Sequence, residues 1–170
     1  MIYITLGTQN NDFSRCLKEF EKIVAEMGIE EEVIAQIGYT HYNPKRFTCL
    51  NFVSEDDYQR YIAEARVVIS HAGSGALFCS IKRNKKVIAV ARLAKYGEML
   101  NDHQTELVKK LSEEGYLLDG TYDMRTAWQQ IDTFVPSNKP IQCTIQNEIK
   151  KKLNDWGIVF VGDDKNRTLR

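Results

Sequence analysis

The chain has 170 residues, which suits one domain with a sizeable core and is short for two. Lys and Arg together number 23, and so do Asp and Glu, a balance that argues against a protein that neutralises many nucleic-acid phosphates. The four cysteines form no C-x-x-C pair, which favours reduced cytosolic thiols over a zinc or redox motif.

Short apolar runs and amphipathic segments alternate along most of the chain. The start of the chain enters an apolar run without a leader-like pattern, and no segment reaches the roughly 20 apolar residues of a membrane helix. The pattern predicts strands over residues 2–6, 33–37, 47–53, 67–70, 87–91 and 116–118. It predicts helices over residues 13–27, 54–65, 102–114 and 124–134, and a further helix opened by residues 71–75.

This alternation is typical of an α/β fold with a doubly wound parallel sheet, because the intervening helices are long enough to cross between parallel strands. We expect the α/β domain to cover residues 1–135, followed by a C-terminal extension over 136–161 and a polar tail over 162–170. Ile145, Ile149, Leu153 and Trp156 give the extension an apolar helical face. That face either packs back on the domain or docks onto a partner, and it is a candidate face for a homodimer of isolated chains.

Three polar or glycine-containing segments follow predicted strands. In open α/β sheets, ligands bind outside the carboxyl ends of the strands, so these segments are the candidate site. They are Gly7-Thr8-Gln9 after the first strand, His71-Ala72-Gly73-Ser74-Gly75 after the fourth, and the loop ending at residues 98–104 after the fifth.

The turn at residues 71–75 is suited to an anion. Gly73 and Gly75 have no side chain, and the helix that follows presents unpaired N–H groups, which favours a diphosphate. The dinucleotide pattern G-x-G-x-x-G fails because Phe78 replaces its third glycine, and no P-loop lysine follows. A tight turn without a ligand is the alternative.

His71 and Gln104 are the side chains best placed for chemistry. His71 directly follows a strand end, where it either has a structural role or contacts a phosphate or the reacting sugar. Gln104 begins a predicted helix with Asp102 as its expected cap, and its amide can both donate and accept hydrogen bonds with sugar hydroxyls. Thr8 and Gln9 face the same edge from the first strand and are candidates for bonds to the phosphates.

Taken together, the three segments resemble a known pattern. Ser70-His71-Ala72-Gly73-Ser74-Gly75, the run Tyr96-Gly97-Glu98 and residues 101–107 are similar to the C-terminal domain of family 28 glycosyltransferases. The opening Thr5-Leu6-Gly7-Thr8 is similar as well, and the resemblance covers residues 2–119. It is greatest to small stand-alone members, which are catalytic subunits of two-component bacterial capsular or exopolysaccharide β-1,4-galactosyltransferases and of the eukaryotic dolichol-linked N-acetylglucosaminyltransferase.

The resemblance implies a Rossmann-like domain equivalent to the donor-binding, C-terminal half of a GT-B glycosyltransferase. It implies that a UDP-sugar is the donor, that no cofactor or metal is tightly held, and that His71 is a catalytic candidate while the partner supplies the rest. The implied contacts to the donor diphosphate are Gly7, Thr8, Gln9, His71, Ala72, Gly73, Ser74 and Gly75. The implied contacts to the donor sugar and ribose are Glu98, Asn101, Asp102, His103 and Gln104.

The function implied by the resemblance is transfer of galactose or N-acetylglucosamine to a lipid-diphosphate-linked acceptor in polysaccharide biosynthesis, with inversion. A membrane-anchored companion subunit would hold the acceptor and keep this cytoplasmic chain at the inner face of the membrane. One departure favours an alternative: Cys79 occupies the position at which many relatives have a ribose-binding acid. The alternative is a non-catalytic module that binds a nucleotide sugar or stabilises a partner, while an epimerase would need a longer chain.

Overall fold

In the computed structural model, six strands pair side by side within residues 1–141, all in parallel. They are β1 (Ile2–Thr5), β2 (Val33–Gln36), β3 (Thr48–Leu50), β4 (Val67–Ser70), β5 (Lys86–Ala89) and β6 (Leu118–Asp119). The order in the sheet is β3-β2-β1-β4-β5-β6, so the winding direction reverses between β1 and β4. The prediction of a doubly wound, Rossmann-like sheet is confirmed, and this reversal point is where such sheets bind ligands.

Helices connect the strands, and their ends follow the expected capping chemistry in part. The helices of the described residues are α1 (Ser14–Met27), α2 (Glu55–Glu64), α3 (Ser74–Lys82), α4 (His103–Glu113) and α5 (Met124–Gln130). Ser54 caps α2 as predicted, because its side chain accepts a hydrogen bond from the Asp57 amide at 3.1 Å. Gly28 ends α1 in the left-handed conformation that favours glycine, also as predicted.

The two faces of the sheet are packed by different helices. Ile2 and Ile4 lie in the main core with residues of α1 and α5, where the Phe20 ring contacts Trp128 at a centroid distance of 5.0 Å. Tyr3, whose side chain points to the opposite face because side chains alternate along a strand, packs on the rings of α2. Helices on both faces leave the ends of the strands as the place for a site.

Some predicted boundaries are wrong. The third strand shrinks from 47–53 to three residues because only these pair with β2, and β6 begins at Leu118, where pairing with Ile88 of β5 starts. Helix α5 ends at Gln130, four residues before its predicted end. The expected cap Asp102 stands at the start of α4, but its carboxylate accepts from the Ala94 amide at 2.6 Å instead of from the helix.

The structure describes residues 1–141. Met1–Asn138 belong to one unit and Lys139–Arg170 to a second, of which the part up to Ile141 is described. The predicted C-terminal amphipathic helix and polar tail lie outside the described residues. Among the described helices, none has the length and apolar character that crossing a membrane requires.

Candidate functional site

The start of α3 presents unpaired amides at the reversal point of the sheet. Its first intrahelical bond runs from the Leu77 amide to the Gly73 carbonyl at 3.0 Å, so the amides of Ser74, Gly75 and Ala76 have no acceptor within the helix. No side chain of the described residues caps this end, whereas Ser54 caps α2. The helix start therefore combines free donors with the positive end of a helix dipole, an arrangement that favours an anion.

His71 joins the ends of β1 and β4. Its backbone amide and its ring Nδ1 both lie 3.0 Å from the carbonyl oxygen of Thr5. Because a carbonyl only accepts, Nδ1 carries the proton in this bond, and in the neutral ring Nε2 is left as an acceptor. A bond from neutral His71 to a phosphate is therefore ruled out in this ring orientation, since both partners would be acceptors.

The glycines on either side make room for this imidazole. A Cβ atom on Gly73 would lie 2.3 Å from Nε2 of His71, and one on Gly7 would lie 2.6 Å from the same atom. Gly7 also has a φ of 76°, in the left-handed region. The expectation that Gly73 lets a ligand approach the backbone needs correction, because the side chain of His71 already occupies that space.

Of the two glycines in the turn after β4, Gly75 is the one that faces open space. A Cβ atom on it would meet nothing within 4 Å, and the residue is exposed. Thr8 and Gln9, at the tip of the loop between β1 and α1, are exposed as well. Gly75 carries one of the unpaired amides of α3, and Thr8 and Gln9 lie in the loop after the neighbouring strand β1.

Burial sets the charge state of His71. Removal of the imidazole from water, with a smaller contribution from the positive charge of Arg92, lowers the pKa of His71 to about 4. The hydrogen bond to the Thr5 carbonyl acts in the opposite direction and is the weaker effect. The ring is neutral at physiological pH, so the predicted catalytic residue is not a proton donor there.

Arg92 joins the first loop to the segment after β5. Its guanidinium donates from Nη2 to the Leu6 carbonyl at 3.0 Å, and from Nη1 to the carbonyls of Asn11 at 3.0 Å and Asp12 at 3.4 Å. The Phe13 ring covers it, with a centroid 4.5 Å from the guanidinium carbon. The side chain is among the most deeply buried in the protein, with 1% of the residue exposed.

Glu98 holds its own loop, contrary to the expectation that it contacts the sugar or ribose. Its two carboxylate oxygens pair with Arg15, each at 3.0 Å, and Oε2 also accepts from the Leu93 amide at 2.9 Å. Arg15 further donates to the backbone carbonyls of Ala91 and Thr121. Because Glu98 is 4% exposed and both of its oxygens accept hydrogen bonds from Arg15, its carboxylate stabilises the loop after β5 from the buried side.

The other residues predicted on this loop divide into internal and outward-facing groups. Gln104 is buried, and its Oε1 accepts from the Arg92 backbone amide at 3.0 Å, so Nε2 is the half of the amide left for a ligand. Asn101 and Asp102 are exposed, although the Asp102 carboxylate is bonded to the Ala94 amide. His103 is half-buried, and its ring contacts the Asn101 side chain.

A cleft of about 460 Å³ opens beside these loops, between the start of α1 and the 3₁₀ turn Ala94–Tyr96. It shares Arg15 and Glu98 with the loop-bracing network. The charged side chains among the remaining lining residues have both signs. These lining residues are Asp12, Ser14, Lys18, Glu19, Tyr96 and Gly97.

Sequence reasoning missed the two arginines that hold the site together. Arg92 directly follows the apolar run of β5, and a charged residue at a strand's carboxyl end was an available signal. Arg15 offered none, because it lies on an amphipathic helix where an arginine is ordinary. No group of three or more His, Cys, Asp or Glu side chains within residues 1–141 is placed to hold a metal ion.

The sheet order and the open helix start at its reversal point define a Rossmann-like α/β domain of the kind that holds nucleotides at its carboxyl edge. The pattern of the glycosyltransferase family 28 C-terminal domain matches residues 1–154, and the chain belongs to this family.

Curated relatives are similar over about two thirds of the chain. UDP-N-acetylglucosamine transferase subunit ALG13 of Homo sapiens is 28% identical over an alignment of 124 residues that covers 68% of this chain and 10% of that protein. ALG13 of Debaryomyces hansenii is 27% identical over an alignment of 120 residues that covers 66% of this chain and 55% of that protein. The chain thus matches a small part of the human protein and about half of the yeast one.

Solved glycosyltransferase structures share the fold. The NMR solution structure of ALG13 is similar with a TM-score of 0.59 at 16% identity, covering 87% of this chain and 93% of that one. MurG from Acinetobacter baumannii is similar with a TM-score of 0.53 at 15% identity, covering 78% of this chain and 40% of that one. The chain corresponds to the C-terminal half of such GT-B glycosyltransferases.

Proposed function

We propose that the chain is the donor-binding, catalytic subunit of a two-subunit glycosyltransferase. It binds a UDP-sugar and transfers the hexose, galactose or N-acetylglucosamine, to a lipid-diphosphate-linked acceptor held by a membrane-anchored companion. Family membership supports the class of reaction, and the names of the ALG13 relatives support both a UDP-sugar and a subunit role. The bacterial capsular or exopolysaccharide type of acceptor rests on the sequence resemblance alone.

The observation that carries the proposal is the open start of α3. The unpaired amides of Ser74, Gly75 and Ala76 lie where the loops after β1, β4 and β5 are joined by His71 and Arg92. A diphosphate matches this arrangement because it brings negative charge and several acceptor oxygens to a cluster of N–H donors.

The same amides would assist the reaction. As the bond between the sugar and the diphosphate breaks, negative charge grows on the departing phosphate, and fixed donors with a helix dipole stabilise it without a tightly held metal. The acceptor oxygen attacks the sugar carbon from the opposite face, which inverts the anomeric centre. His71 holds two loops in this mechanism, and the base that removes the acceptor proton comes from the companion subunit.

The sugar and ribose side of the site is assigned to the outward-facing groups. Nε2 of Gln104 is a donor suited to a sugar hydroxyl, since Oε1 is bonded to Arg92. Asn101 and His103, which contact each other at the start of α4, are the further candidates. Thr8 and Gln9 approach the phosphates from the tip of the first loop.

Isothermal titration of the purified chain with UDP, UDP-galactose and UDP-N-acetylglucosamine tests the donor site. We expect weak binding of UDP and of one UDP-sugar. Co-expression with a membrane-anchored candidate companion, with a lipid-linked acceptor and the preferred UDP-sugar, should then give transfer at the cytoplasmic face of the membrane. Lack of heat with all three nucleotides, together with an unchanged melting temperature, would remove the donor-site proposal.

A second candidate function is a non-catalytic module of a glycosyltransferase complex. Its support is the surroundings of Cys79, a position at which the family resemblance implies a ribose-binding acid. The thiol lies 3.3 Å from Oε1 of Gln59 and 3.0 Å from Nη1 of Arg83, so an arginine faces this position. If the chain binds UDP-sugars but never gives transfer with its companion, this second function is correct.

A further inference from the structure

Arg92 bridges the two ends of one loop. Leu6, at the start of the loop between β1 and α1, accepts from Nη2, while Asn11 and Asp12, at its end, accept from Nη1. The tip between these anchor points carries Gly7, Thr8 and Gln9. One rigid guanidinium thus sets the distance between the two sides of the loop.

Arg92 is buried without a direct ion pair among the described residues, although the charges of Glu98 and Asp12 favour its charged form. Glu98, the nearby buried acid, gives both oxygens to Arg15, and no carboxylate of residues 1–141 forms an ion pair with Arg92. Its Nε atom is buried with no hydrogen-bond partner among the described residues. Burial accordingly lowers the pKa of Arg92, because carbonyl dipoles replace only part of the lost hydration.

A merely structural arginine is poorly suited to this position. Burying a cation without an opposite charge costs free energy, and an apolar side chain of similar length would fill the same space beside Phe13 more favourably. A buried positive charge under a loop does, however, favour an anion that binds on that loop.

We infer that Arg92 is a positioning residue for the donor diphosphate: it fixes the loop that carries Thr8 and Gln9 and places a buried guanidinium behind it. This inference rests on the proposed function, since it concerns the same site. Arg92 acts through the loop and does not itself touch the donor.

Arg92→Lys separates the geometry from the charge. Lysine keeps the positive charge but cannot bond both ends of the loop, because it lacks the planar fork of donors. We expect about tenfold weaker binding of UDP, because the loop must then be ordered on binding, and a larger loss for Arg92→Met, which also removes the charge. Arg66→Gln is the control: Arg66 precedes β4 at the opposite edge of the sheet, where it pairs with Glu31 and Asp132.

Two readouts distinguish positioning from general loosening of the fold. NMR titration with UDP and with uridine, which lacks the phosphates, should give a reduced UDP-to-uridine affinity ratio in Arg92→Lys, while loosening would weaken both ligands alike. Hydrogen exchange in Arg92→Lys should increase for the amides of residues 6–12 and stay unchanged in β2.

A separate measurement uses the wild-type chain. The Nε–H signal of Arg92 should shift on addition of UDP, and that of Arg66 should not.

The results separate this inference from the proposed function. If wild-type protein does not bind UDP, the proposed function and this inference both fail. If wild-type protein binds UDP and Arg92→Lys binds it with the same UDP-to-uridine ratio, the inference alone fails. Should the variants not fold, the wild-type signal decides: an unmoved Arg92 Nε–H at saturating UDP overturns the inference.

Discussion

Nδ1 of His71 lies 3.0 Å from the carbonyl oxygen of Thr5, a residue 66 positions earlier in the chain, and this bond fixes the proton on one ring nitrogen. The imidazole is thereby placed between Gly7 and Gly73, each of which would collide with it if it carried a Cβ atom. The two glycines and the histidine form one packing unit that joins the loops after β1 and β4.

Gly73→Ala is expected to lower the free energy of unfolding by about 1–3 kcal/mol, because its Cβ atom must displace an imidazole held by Thr5. Gly75→Ala, two residues on, is the matched control. Its Cβ atom meets nothing, and alanine favours a helix by about 0.5–1 kcal/mol over glycine, so this variant should be at least as stable as wild type. Urea unfolding measures both, and equal stability of the two variants would contradict the packing of His71.

The neutral state of His71 predicts a pH dependence of stability. Between its ordinary pKa of 6.5 and its lowered pKa of about 4, the unfolded chain takes up a proton at His71 and the folded chain does not. Stability is therefore present in full above the upper value and decreases as the pH falls, by up to about 1.4 kcal/mol per pH unit. Denaturant unfolding between about pH 7 and pH 5 measures this slope.

The control for this slope is a comparison of two histidine variants. His71→Gln should flatten the dependence over that range, whereas His41→Gln, at an exposed position, should retain it. An equal slope in wild type and His71→Gln would show that another group is responsible.

Glu98→Gln tests the brace of the loop after β5. The substitution removes the buried carboxylate of Arg15 and leaves it only the half-exposed Glu19 at 3.8 Å, and removal of one partner of a buried ion pair costs about 3–5 kcal/mol. Glu113→Gln, which removes an exposed pair with Lys109, should change stability by less than about 0.5 kcal/mol. Thermal unfolding of both variants gives the comparison, and similar melting temperatures would mean that Glu98 contributes no more than a surface residue.

Local sequence patterns were sufficient for much of the fold. The continuous apolar run Val67–Ser70 predicted β4 to the residue, and Ser54 and Gly28 marked helix ends because capping depends on neighbouring residues alone. β6 and α5 were misplaced because their limits depend on pairing with β5 and on tertiary packing. The doubly wound parallel class followed from the alternation of elements, whereas the order of the strands depends on pairing between distant segments and was not predicted.

The positions of the loops at the strand ends were predictable, but the contacts that their side chains make were not. The strand-end rule located the loops, yet the roles of Glu98 and His71 depend on Arg15 and Thr5, which are 83 and 66 positions away in sequence. Gly73 and Gly75 look equivalent in the sequence, while in space one accommodates an imidazole and the other faces an open surface. Such differences arise only when distant segments meet.

Gly75→Asp provides the most direct test of anion binding at the start of α3. An acid in the first turn interacts favourably with the helix dipole, by about 0.3–1 kcal/mol, but repels a diphosphate at the same amides. Gly75→Asn is the matched neutral control, since neither side chain meets a neighbouring atom at Cβ. The measurement is UDP titration of both variants, with their melting temperatures recorded alongside. We predict a UDP dissociation constant at least about tenfold higher for Gly75→Asp than for Gly75→Asn, with no loss of stability. Equal UDP affinity of the two folded variants would contradict diphosphate binding at this helix start.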